Sequence, residues 1–263
     1  MFAKRSSIAI IRAVLFALVL REVRGRFGVN RLGAFWFVFE PLAHISVLLT
    51  VFSVLRGARV NYGPDLLVFL VSGIIPFLLF KNIALKGMEA VSANKALFAY
   101  RQIKPVDTVL ARAISETALM SCVYILVVFA LGFWGDHEVL IARPVLFMSM
   151  VLLGILLSLG LALIFCVVGE AMPEIKNLIK LAYMPLYFLS GVIMPLWIVP
   201  PTFRDYLLWN PYVHIIDGIR EATFAYYPQV PGIDFQYAAS VTLGVLFIGV
   251  MLYRSRRQQL LAI

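Results

Sequence analysis

Few charged side chains lie within or beside the apolar runs of this chain, and those that do stand apart from one another. Four charged residues lie within or beside apolar runs. They are Glu40, Lys81, Glu116 and Lys180. A charge at the middle of a membrane costs about 2.5–3.5 kcal/mol on insertion scales, so such residues are candidates for function. All four can also be placed near the ends of their runs, where the cost is small.

Two kinds of membrane chemistry would use such groups. An embedded enzyme needs an acid and a base at one membrane depth. Glu40, His44 and Glu116 are the only plausible set, and nothing in the sequence brings them together. A proton-driven carrier needs acids deep in its spans, but the apolar runs 145–169 and 237–253 contain none. Both interpretations are therefore disfavoured.

Motifs for bound cofactors are absent from the sequence. There is no Gly-rich phosphate loop that ends in Gly-Lys-Ser/Thr, so we do not expect the chain to hydrolyse ATP itself. No HExxH, GxSxG or paired Cys/His metal spacing occurs, and we expect no cofactor or metal on this chain. Cys122 and Cys166 sit in apolar runs as free thiols. The three histidines, His44, His137 and His214, fall in different regions and favour structural or interfacial roles.

The composition indicates a membrane protein. Of the 263 residues, 62% are hydrophobic and 14% are charged, and the mean hydropathy is +0.93. A soluble domain would be about 45–50% apolar and about 25% charged. The net charge of +9 fits the basic cytoplasmic loops of a membrane protein, so we expect no nucleic-acid partner.

Apolar runs predict an all-α fold with six transmembrane helices. The runs are about 32–55, 66–80, 111–134, 145–169, 178–199 and 237–253. In the fourth run, Gly154, Ser158 and Ala162 are four residues apart and form a small-residue ridge suited to close helix packing. Pro185 and Pro195 lie inside the fifth run and predict a kink there.

The distribution of Lys and Arg predicts the orientation. With the N-terminus in the cytoplasm, 18 of the 23 basic residues fall on the cytoplasmic side. Those inner segments are 1–31, 81–112, 170–180 and 254–263. The outer segments, near 56–65, 135–144 and 200–234, hold the other five. This asymmetry predicts a multi-pass protein of the bacterial inner membrane with both termini in the cytoplasm.

The segments outside the six-span domain 32–254 are the stretch 1–31 and a cytoplasmic tail, 255–263. Residues 5–24 predict a helix that lies on the membrane, with Arg5 and Arg12 on its polar face. Its apolar face would comprise Ile8, Ile11, Leu15, Leu18 and Val19. The stretch is either a basic anchor alone or a surface that docks a partner or an anionic lipid.

Two loops are too long to be simple turns. In the inner loop 81–112, Ser92 or Asn94 is predicted to cap a short helix. Leu97, Phe98 and Tyr100 would be exposed there unless the chain's own helices or a cytoplasmic partner covered them. In the outer loop 200–234, Thr202 is predicted to cap a helix through Leu208, and a second helix covers His214 to Phe224. Both are amphipathic and too short to span, which favours re-entrant helices.

Three stretches of the sequence resemble one family. They are Leu20 to Trp36 with Glu40-Pro41, the loop from Phe98 to Arg112, and Leu208-Trp209-Asn210-Pro211 followed by His214 and Arg220-Glu221. In order and over essentially the whole chain, they resemble the permeases of polysaccharide-export ABC transporters, and among these the capsule exporters of the KpsM type. Each motif alone is weak, but together they are fairly specific.

The resemblance implies an assembly. Two copies of the chain would form the channel, and two separate ATPase subunits, which bind ATP and Mg, would drive export of a lipid-linked anionic capsular polysaccharide. A periplasmic adaptor and an outer-membrane channel would carry the polymer onward. Export of O-antigen or teichoic acid is the alternative, and an enzyme acting on lipid-linked sugars is a more distant one.

The resemblance and the residue types together give three candidate sites. A basic entrance for the anionic substrate comprises Arg21, Arg24, Arg26 and Arg31. A surface that couples to the ATPase comprises Asn94, Leu97, Phe98, Tyr100 and Arg101, because 92–101 matches the family's coupling helix. Aromatic residues for the channel or its gate, whose rings suit the apolar faces of sugars, are Tyr183, Tyr187, Phe188, Tyr206 and Trp209.

Overall fold

A computed structural model describes residues 7–28, 33–56, 65–135 and 137–262. Within these ranges the chain contains helices and no strand, which confirms the all-α prediction. The α-helices there are α1 (Ser7–Gly28), α2 (Gly33–Arg56), α3 (Leu66–Met88), α4 (Pro105–Trp134), α5 (Pro144–Ala171), α6 (Ile175–Leu189), α7 (Pro201–Leu207), α8 (Pro211–Thr223) and α9 (Phe235–Ala262). Short 3-10 helices cover Ser92–Ala99 and Leu196–Ile198.

Four helices in the described ranges are long and apolar enough to cross a membrane. They are α3, α4, α5 and residues Phe235–Leu260 of α9. These helices correspond to the second, third, fourth and sixth predicted runs. α2 covers the first run with 24 residues, and α6 covers only part of the fifth with 15. A count of six spans therefore needs α2 and α6 as well.

Acidic caps and prolines determine where several helices begin. Asp65 precedes α3, and its Oδ1 accepts hydrogen bonds from the backbone N–H groups of Leu67 and Val68 at 2.8 and 3.3 Å. Asp107, in the first turn of α4, accepts a hydrogen bond from the N–H of Lys104 at 2.9 Å. Proline is the first residue of α4, α5, α7 and α8, where a missing N–H removes no helical hydrogen bond.

α3 continues to Met88, well beyond the predicted end of the second run at residue 80. Lys81 and Lys86 are partly exposed, whereas Ile83 on the same stretch is fully buried. The charges lie on one side of an otherwise buried helix, so they do not end it. The irregular part of the inner loop is therefore confined to the segment between α3 and α4.

The fifth apolar run is not one kinked helix. Pro185 lies inside α6 as predicted, but α6 ends at Leu189. Gly191 has a φ of 68°, a left-handed conformation that a right-handed helix cannot contain and that glycine adopts without steric cost. Pro195 lies beyond this turn, outside α6. A short helix followed by an irregular outer segment replaces the predicted span to residue 199.

The predicted helix caps of both long loops are wrong. Ser92 and Asn94 lie within the 92–99 helix, and the Asn94 side-chain amide instead donates to the Ala90 carbonyl at 2.7 Å. No side-chain cap is needed, because the first N–H groups of this helix already have backbone acceptors: Ala93 donates to the Glu89 carbonyl at 3.1 Å and Asn94 to the Val91 carbonyl at 3.0 Å. Thr202 lies inside α7, which begins one residue earlier, at Pro201, without a side-chain cap.

The second outer helix starts earlier than predicted. α8 begins at Pro211, before His214, because Asn210 caps it: the Asn210 Oδ1 accepts a hydrogen bond from the N–H of Tyr212 at 3.0 Å. Almost every residue of α8 is buried, whereas α7 has no buried residue. The two outer helices therefore have different environments.

α3 is the centre of the packing, and α5 lies against both α3 and α9. A methyl group on Gly154 of α5 would lie 2.1 Å from the ring of Phe80 on α3. Further along, Ala162 approaches Gly87 of α3 so closely that a methyl group on Gly87 would lie 2.5 Å from its Cβ. Gly154, Ser158 and Ala162 are all buried, so the predicted ridge is confirmed as a packing surface.

α1 packs against α4 along part of its predicted apolar face. Leu18 is buried and Leu15 and Val19 are half-buried, whereas Ile8 and Ile11 are exposed. Arg12 is exposed, as predicted for the polar face. The first two turns of α1 thus present apolar side chains that no described part of the chain covers.

The contact between Gly154 and Phe80 leads to a stability prediction. Gly154→Leu forces a side chain into the Phe80 ring, and overpacking of this kind costs about 1–3 kcal/mol. We expect a lower Tm of the purified protein in detergent. Gly244→Leu is the matched control, because nothing lies within 4 Å of the position of its new Cβ. Equal Tm values for the two variants would contradict the close approach of α5 to α3.

Candidate functional site

An open groove of about 340 Å³ lies between α2 and α6, with α3 as its floor. This is within the size range of small-ligand sites. Its polar and aromatic lining residues are His44, Phe77, Lys81, Lys180, Tyr183, Tyr187 and Phe188. We call this the α2–α6 groove. It brings three of the predicted channel aromatics, Tyr183, Tyr187 and Phe188, into one site.

The aromatic wall of the groove is an interlocked set of rings. The ring of Tyr187 meets those of Phe77 and Phe188 edge to face, with centroids 5.3 and 5.6 Å apart. His44 of α2 lies across from it, 6.2 Å from the Tyr187 ring. The Tyr187 hydroxyl is buried and has no hydrogen-bond partner among the described residues. The aromatic faces of the wall suit a sugar, whose ring has apolar faces of its own.

Two lysines give the groove its positive charge. Lys180 of α6 places its Nζ 2.5 Å from Oε1 of Glu89, just after α3. Lys81 of α3 is partly exposed, and no described residue forms an ion pair or hydrogen bond with it. An aromatic groove with amines on its wall can bind a saccharide that carries carboxylate or phosphate groups.

The other two predicted gate aromatics lie elsewhere. Tyr206 of α7 and Trp209 just after it are 76% and 81% exposed and do not line the groove. The backbone at Trp209 is nevertheless fixed, because its carbonyl accepts a hydrogen bond from the Tyr237 hydroxyl at 2.9 Å. The predicted aromatic set therefore divides into a groove wall and an exposed outer pair.

The predicted basic entrance is described only in part. Arg21 and Arg24 are exposed on α1, as such a surface requires. The Arg26 side chain and Arg31 lie outside the described residues. Arg21 has an acidic neighbour in Glu22, with 3.9 Å between Nη2 and Oε1.

Sequence reasoning missed a network of charges that joins α1, α3 and α4. Nζ of Lys86 donates to both carboxylate oxygens of Glu116, at 2.9 and 3.0 Å. Arg112 donates to the Lys86 carbonyl at 2.6 Å and to Oε1 of Glu22 at 3.3 Å. Glu116 is fully buried, and the pairing offsets the cost of burying its charge. The sequence did hold one signal of this network, because a lysine and a glutamate of opposite charge, Lys86 and Glu116, lie on consecutive helices.

The candidate acid and base residues of an embedded enzyme do not share an environment. Glu116 is buried against Lys86, whereas Glu40 is exposed on α2. His44 faces Tyr187 in the groove. The described residues also contain no group of three or more His, Cys, Asp and Glu side chains that could hold a metal ion.

The predicted coupling residues divide into buried and exposed groups. Asn94 is buried, and Phe98 is half-buried against the chain's own apolar cluster of Val91, Val109 and Ala162. Leu97 is half-buried. Tyr100, 66% exposed, and Arg101 face outward. The chain's own helices therefore cover one part of this apolar surface, and the other part is exposed.

Leu97 and Tyr100 also line a second groove, of about 610 Å³, against α1. Ala13, Ala17 and Leu18 form its α1 side. The exposed part of the predicted coupling surface is therefore continuous with α1, so one partner could contact both.

Arg220 of α8 fastens the outer end of the molecule. It is fully buried, and its guanidinium donates to the carbonyls of Gly191 and Val192, both at 2.6 Å. The same group lies over the Phe69 ring of α3, 3.5 Å from the centroid, in a cation–π contact. A methyl group on Gly73 would lie 2.4 Å from the guanidinium, so glycine makes room for it. One side chain thus joins α3, α8 and the turn after α6.

An acidic residue one turn earlier on α8 completes this outer cluster. Asp217 accepts a hydrogen bond from the Tyr227 hydroxyl at 2.6 Å. Burial raises the pKa of Asp217 to about 6, although the Tyr227 hydrogen bond and the charge of Arg220 oppose the increase. Burial also raises the pKa of Tyr227 above its ordinary value, so its hydroxyl remains a donor.

Removing the Arg220 guanidinium should destabilise the outer end. Arg220→Met leaves two buried carbonyls without donors, which costs about 1–3 kcal/mol for each unsatisfied group. We expect a clear decrease in Tm and faster proteolysis of the segment after α6. Arg143→Gln is the control, because the Arg143–Glu221 pair is mostly exposed and such pairs contribute about 0–1 kcal/mol. A Tm for Arg220→Met that matches the control would refute the fastening role.

The sequence of this chain is similar to those of known membrane transport proteins. The family model described as ABC-2 type transporter matches residues 13–224. The polysialic acid transport protein KpsM of Escherichia coli is 40% identical over 98% of both chains. The capsule polysaccharide export inner-membrane protein CtrC of Neisseria meningitidis is 28% identical over 83% of this chain and 82% of its own. The O-antigen export system permease protein RfbA of Myxococcus xanthus is 24% identical over 94% of both.

The family match covers most of the chain, and the alignment with KpsM leaves almost none of either chain unmatched. The apolar helices of the structure are what a membrane subunit requires. The chain therefore belongs to the ABC-2 type transporter family, as a membrane permease subunit and not as an enzyme.

Proposed function

We propose that this chain is the permease subunit of an ABC transporter that exports a lipid-linked, anionic capsular polysaccharide across the bacterial inner membrane. The observation that carries the proposal is the 40% identity to KpsM over 98% of both chains. The α2–α6 groove supports it independently, because its aromatic wall and its lysines suit an acidic sugar polymer.

The proposed topology has six spans with both termini in the cytoplasm. α3, α4, α5 and α9 are four of them, and α2, at 24 residues, extends about 36 Å, enough for the hydrocarbon core. α6 extends only about 22 Å, so the irregular segment after it would complete the crossing. Non-helical backbone is tolerated at membrane depth where it is buried in protein, and Arg220 satisfies two carbonyls of this segment.

The outer helices are proposed to be re-entrant and to lie at the exit. α8 is buried and fastened by Arg220, whereas α7 is exposed with its aromatic side chains Phe203 and Tyr206. The exposed rings are placed to contact a polymer that leaves the channel. A second copy of the chain would close this channel, since the α2–α6 groove is open on the side away from α3.

The energy source is proposed to be a pair of separate ATPase subunits that bind ATP and Mg. The sequence has no phosphate loop of its own. The exposed residues Tyr100 and Arg101, with the groove against α1, offer these subunits a surface.

The basic entrance would attract the anionic polymer on the cytoplasmic side. It comprises Arg21, Arg24, Arg26 and Arg31, and each basic residue near an anionic surface contributes about 1 kcal/mol. A periplasmic adaptor and an outer-membrane channel would receive the exported polymer.

Export of O-antigen is the second candidate, and the similarity to RfbA over 94% of both chains favours it. The identity is 24%, against 40% for KpsM. The two candidates differ in the polymer that is moved and not in the mechanism, so the polymer itself decides between them.

Deletion of the gene should stop export without stopping synthesis. We expect capsular polymer, still attached to its lipid, to accumulate inside the cell, and a plasmid copy of the gene to restore it to the surface. Fractionation followed by sugar analysis and immunoblotting measures this. Accumulation of O-antigen with a normal capsule would favour the second candidate, and a normal distribution of both polymers would refute the proposed function.

Tyr100→Asp should weaken binding of the ATPase subunit, because it places a charge at the centre of an exposed aromatic contact. We expect the co-purified ATPase to decrease while the Tm of the permease alone stays unchanged. Tyr226→Asp is the control, since Tyr226 is equally aromatic and 93% exposed but lies near the opposite, outer end. Phe98 is unsuitable, because it packs in the chain's own core. Undiminished co-purification of Tyr100→Asp would exclude this contact.

A further inference from the structure

The ion pair between Glu89 and Lys180 connects two sites that have been described separately. Lys180 lines the α2–α6 groove, and its Nζ lies 2.5 Å from Oε1 of Glu89. Glu89 is the residue at which α3 ends and the inner loop begins. One amine therefore faces both the groove and the base of the segment that carries the coupling surface.

Glu89 is built into the first turn of that segment. Its carbonyl accepts hydrogen bonds from the Ala93 N–H at 3.1 Å and from the Ser92 hydroxyl at 3.2 Å. Tyr100 and Arg101 directly follow the other end of the same 3-10 helix, at Ala99. A change in what holds the Glu89 side chain therefore acts directly on the base of the 92–99 helix.

The Glu89–Lys180 pair is weak enough to be exchanged. The two side chains are 41% and 46% exposed, and ion pairs exposed to this degree contribute little to stability. The pair between Lys176 and Glu170, also at the start of α6, is different, because Glu170 is only 5% exposed. An anion in the groove can compete for Lys180 far more easily than for Lys176.

We propose that Lys180 is shared between Glu89 and the anionic groups of the polymer, so that substrate in the groove releases Glu89 and frees the coupling segment. This inference rests on the proposed function. In the empty state the pair ties the base of the 92–99 helix, at Glu89, to α6, and the ATPase turns over slowly. In the loaded state a carboxylate of the sugar chain or a phosphate of the lipid linker takes the amine, and ATPase activity increases. Lys81, which has no partner in the described chain, binds the polymer in both states.

The test uses the full complex of permease and ATPase subunit in proteoliposomes. The probe is the lipid-linked polymer extracted from the deletion strain, and ATPase activity is measured over a series of polymer concentrations. A second sample of the polymer, with its carboxylates esterified, retains the linker phosphate. Stimulation that survives esterification assigns the competing anion to the phosphate, and stimulation that is lost assigns it to the sugar.

Three variants separate the two roles of Lys180. Glu89→Gln and Lys180→Gln both break the pair, so basal ATPase activity should increase about two- to fivefold, the range that an exposed ion pair supports. Only Lys180→Gln should also bind the polymer more weakly, which is measured by co-sedimentation of the polymer with the proteoliposomes. In the double variant Glu89→Lys with Lys180→Glu, the pair is restored in reverse, so basal activity should return to the wild-type level while stimulation by polymer is lost.

Glu221→Gln is the matched control. It breaks the exposed ion pair with Arg143, and neither residue of that pair lines the groove. It should leave basal and stimulated activity unchanged. Wild-type behaviour of both single variants, or a double variant whose basal activity stays as high as theirs, would overturn the shared role of Lys180. A wild-type complex that neither exports polymer nor responds to it would instead refute the proposed function.

Discussion

The close approach of α5 to α3 is the contact on which the other helix positions depend. Lipid tails are as apolar as leucine, so apolar helices in a membrane gain little from leaving lipid and associate through close packing and polar contacts. Gly154 provides the first, because the Phe80 ring occupies the space of its missing side chain. Four residues on, Ser158 provides the second through its hydroxyl, 2.9 Å from that of Tyr212 on α8. α8 is thereby placed where Arg220 reaches α3 and the turn after α6.

Several charged residues near the inner loop form ion pairs with one another. Lys86 pairs with Glu116, Arg112 with Glu22, and Lys180 with Glu89. A count of basic residues is sufficient to predict orientation, because it depends only on how many lie on each side. It does not predict which of them can meet a substrate, since that depends on the acidic neighbour that folding brings within reach.

The helices of this fold could be predicted from the sequence because long apolar runs have few alternatives in a bilayer. The ridge at Gly154, Ser158 and Ala162 was also predictable, since its spacing is a property of one helix. The early end of α6 was not, because the left-handed turn at Gly191 is held by Arg220, 29 positions away in the chain.

The same distinction separates the parts of the candidate site. Tyr183, Tyr187 and Phe188 are neighbours on one helix, so their grouping could be predicted from local sequence. Their separation from Tyr206 and Trp209 could not, because it depends on the irregular outer segment. The partner of Lys180 was also hidden, since Glu89 is brought to it only by the packing of α6 beside α3.

α9 has a length that bears on how the molecule responds to its membrane. Its 28 residues form one helix of about 42 Å, whereas the hydrocarbon core is about 30 Å thick. The excess carries Arg254, Arg256 and Arg257 beyond the apolar region, and the Tyr253 hydroxyl accepts a hydrogen bond from the Val106 N–H at 3.4 Å, at the base of α4. A thicker or thinner bilayer that changes the tilt of α9 would therefore also move the start of α4, through the contact between Tyr253 and Val106.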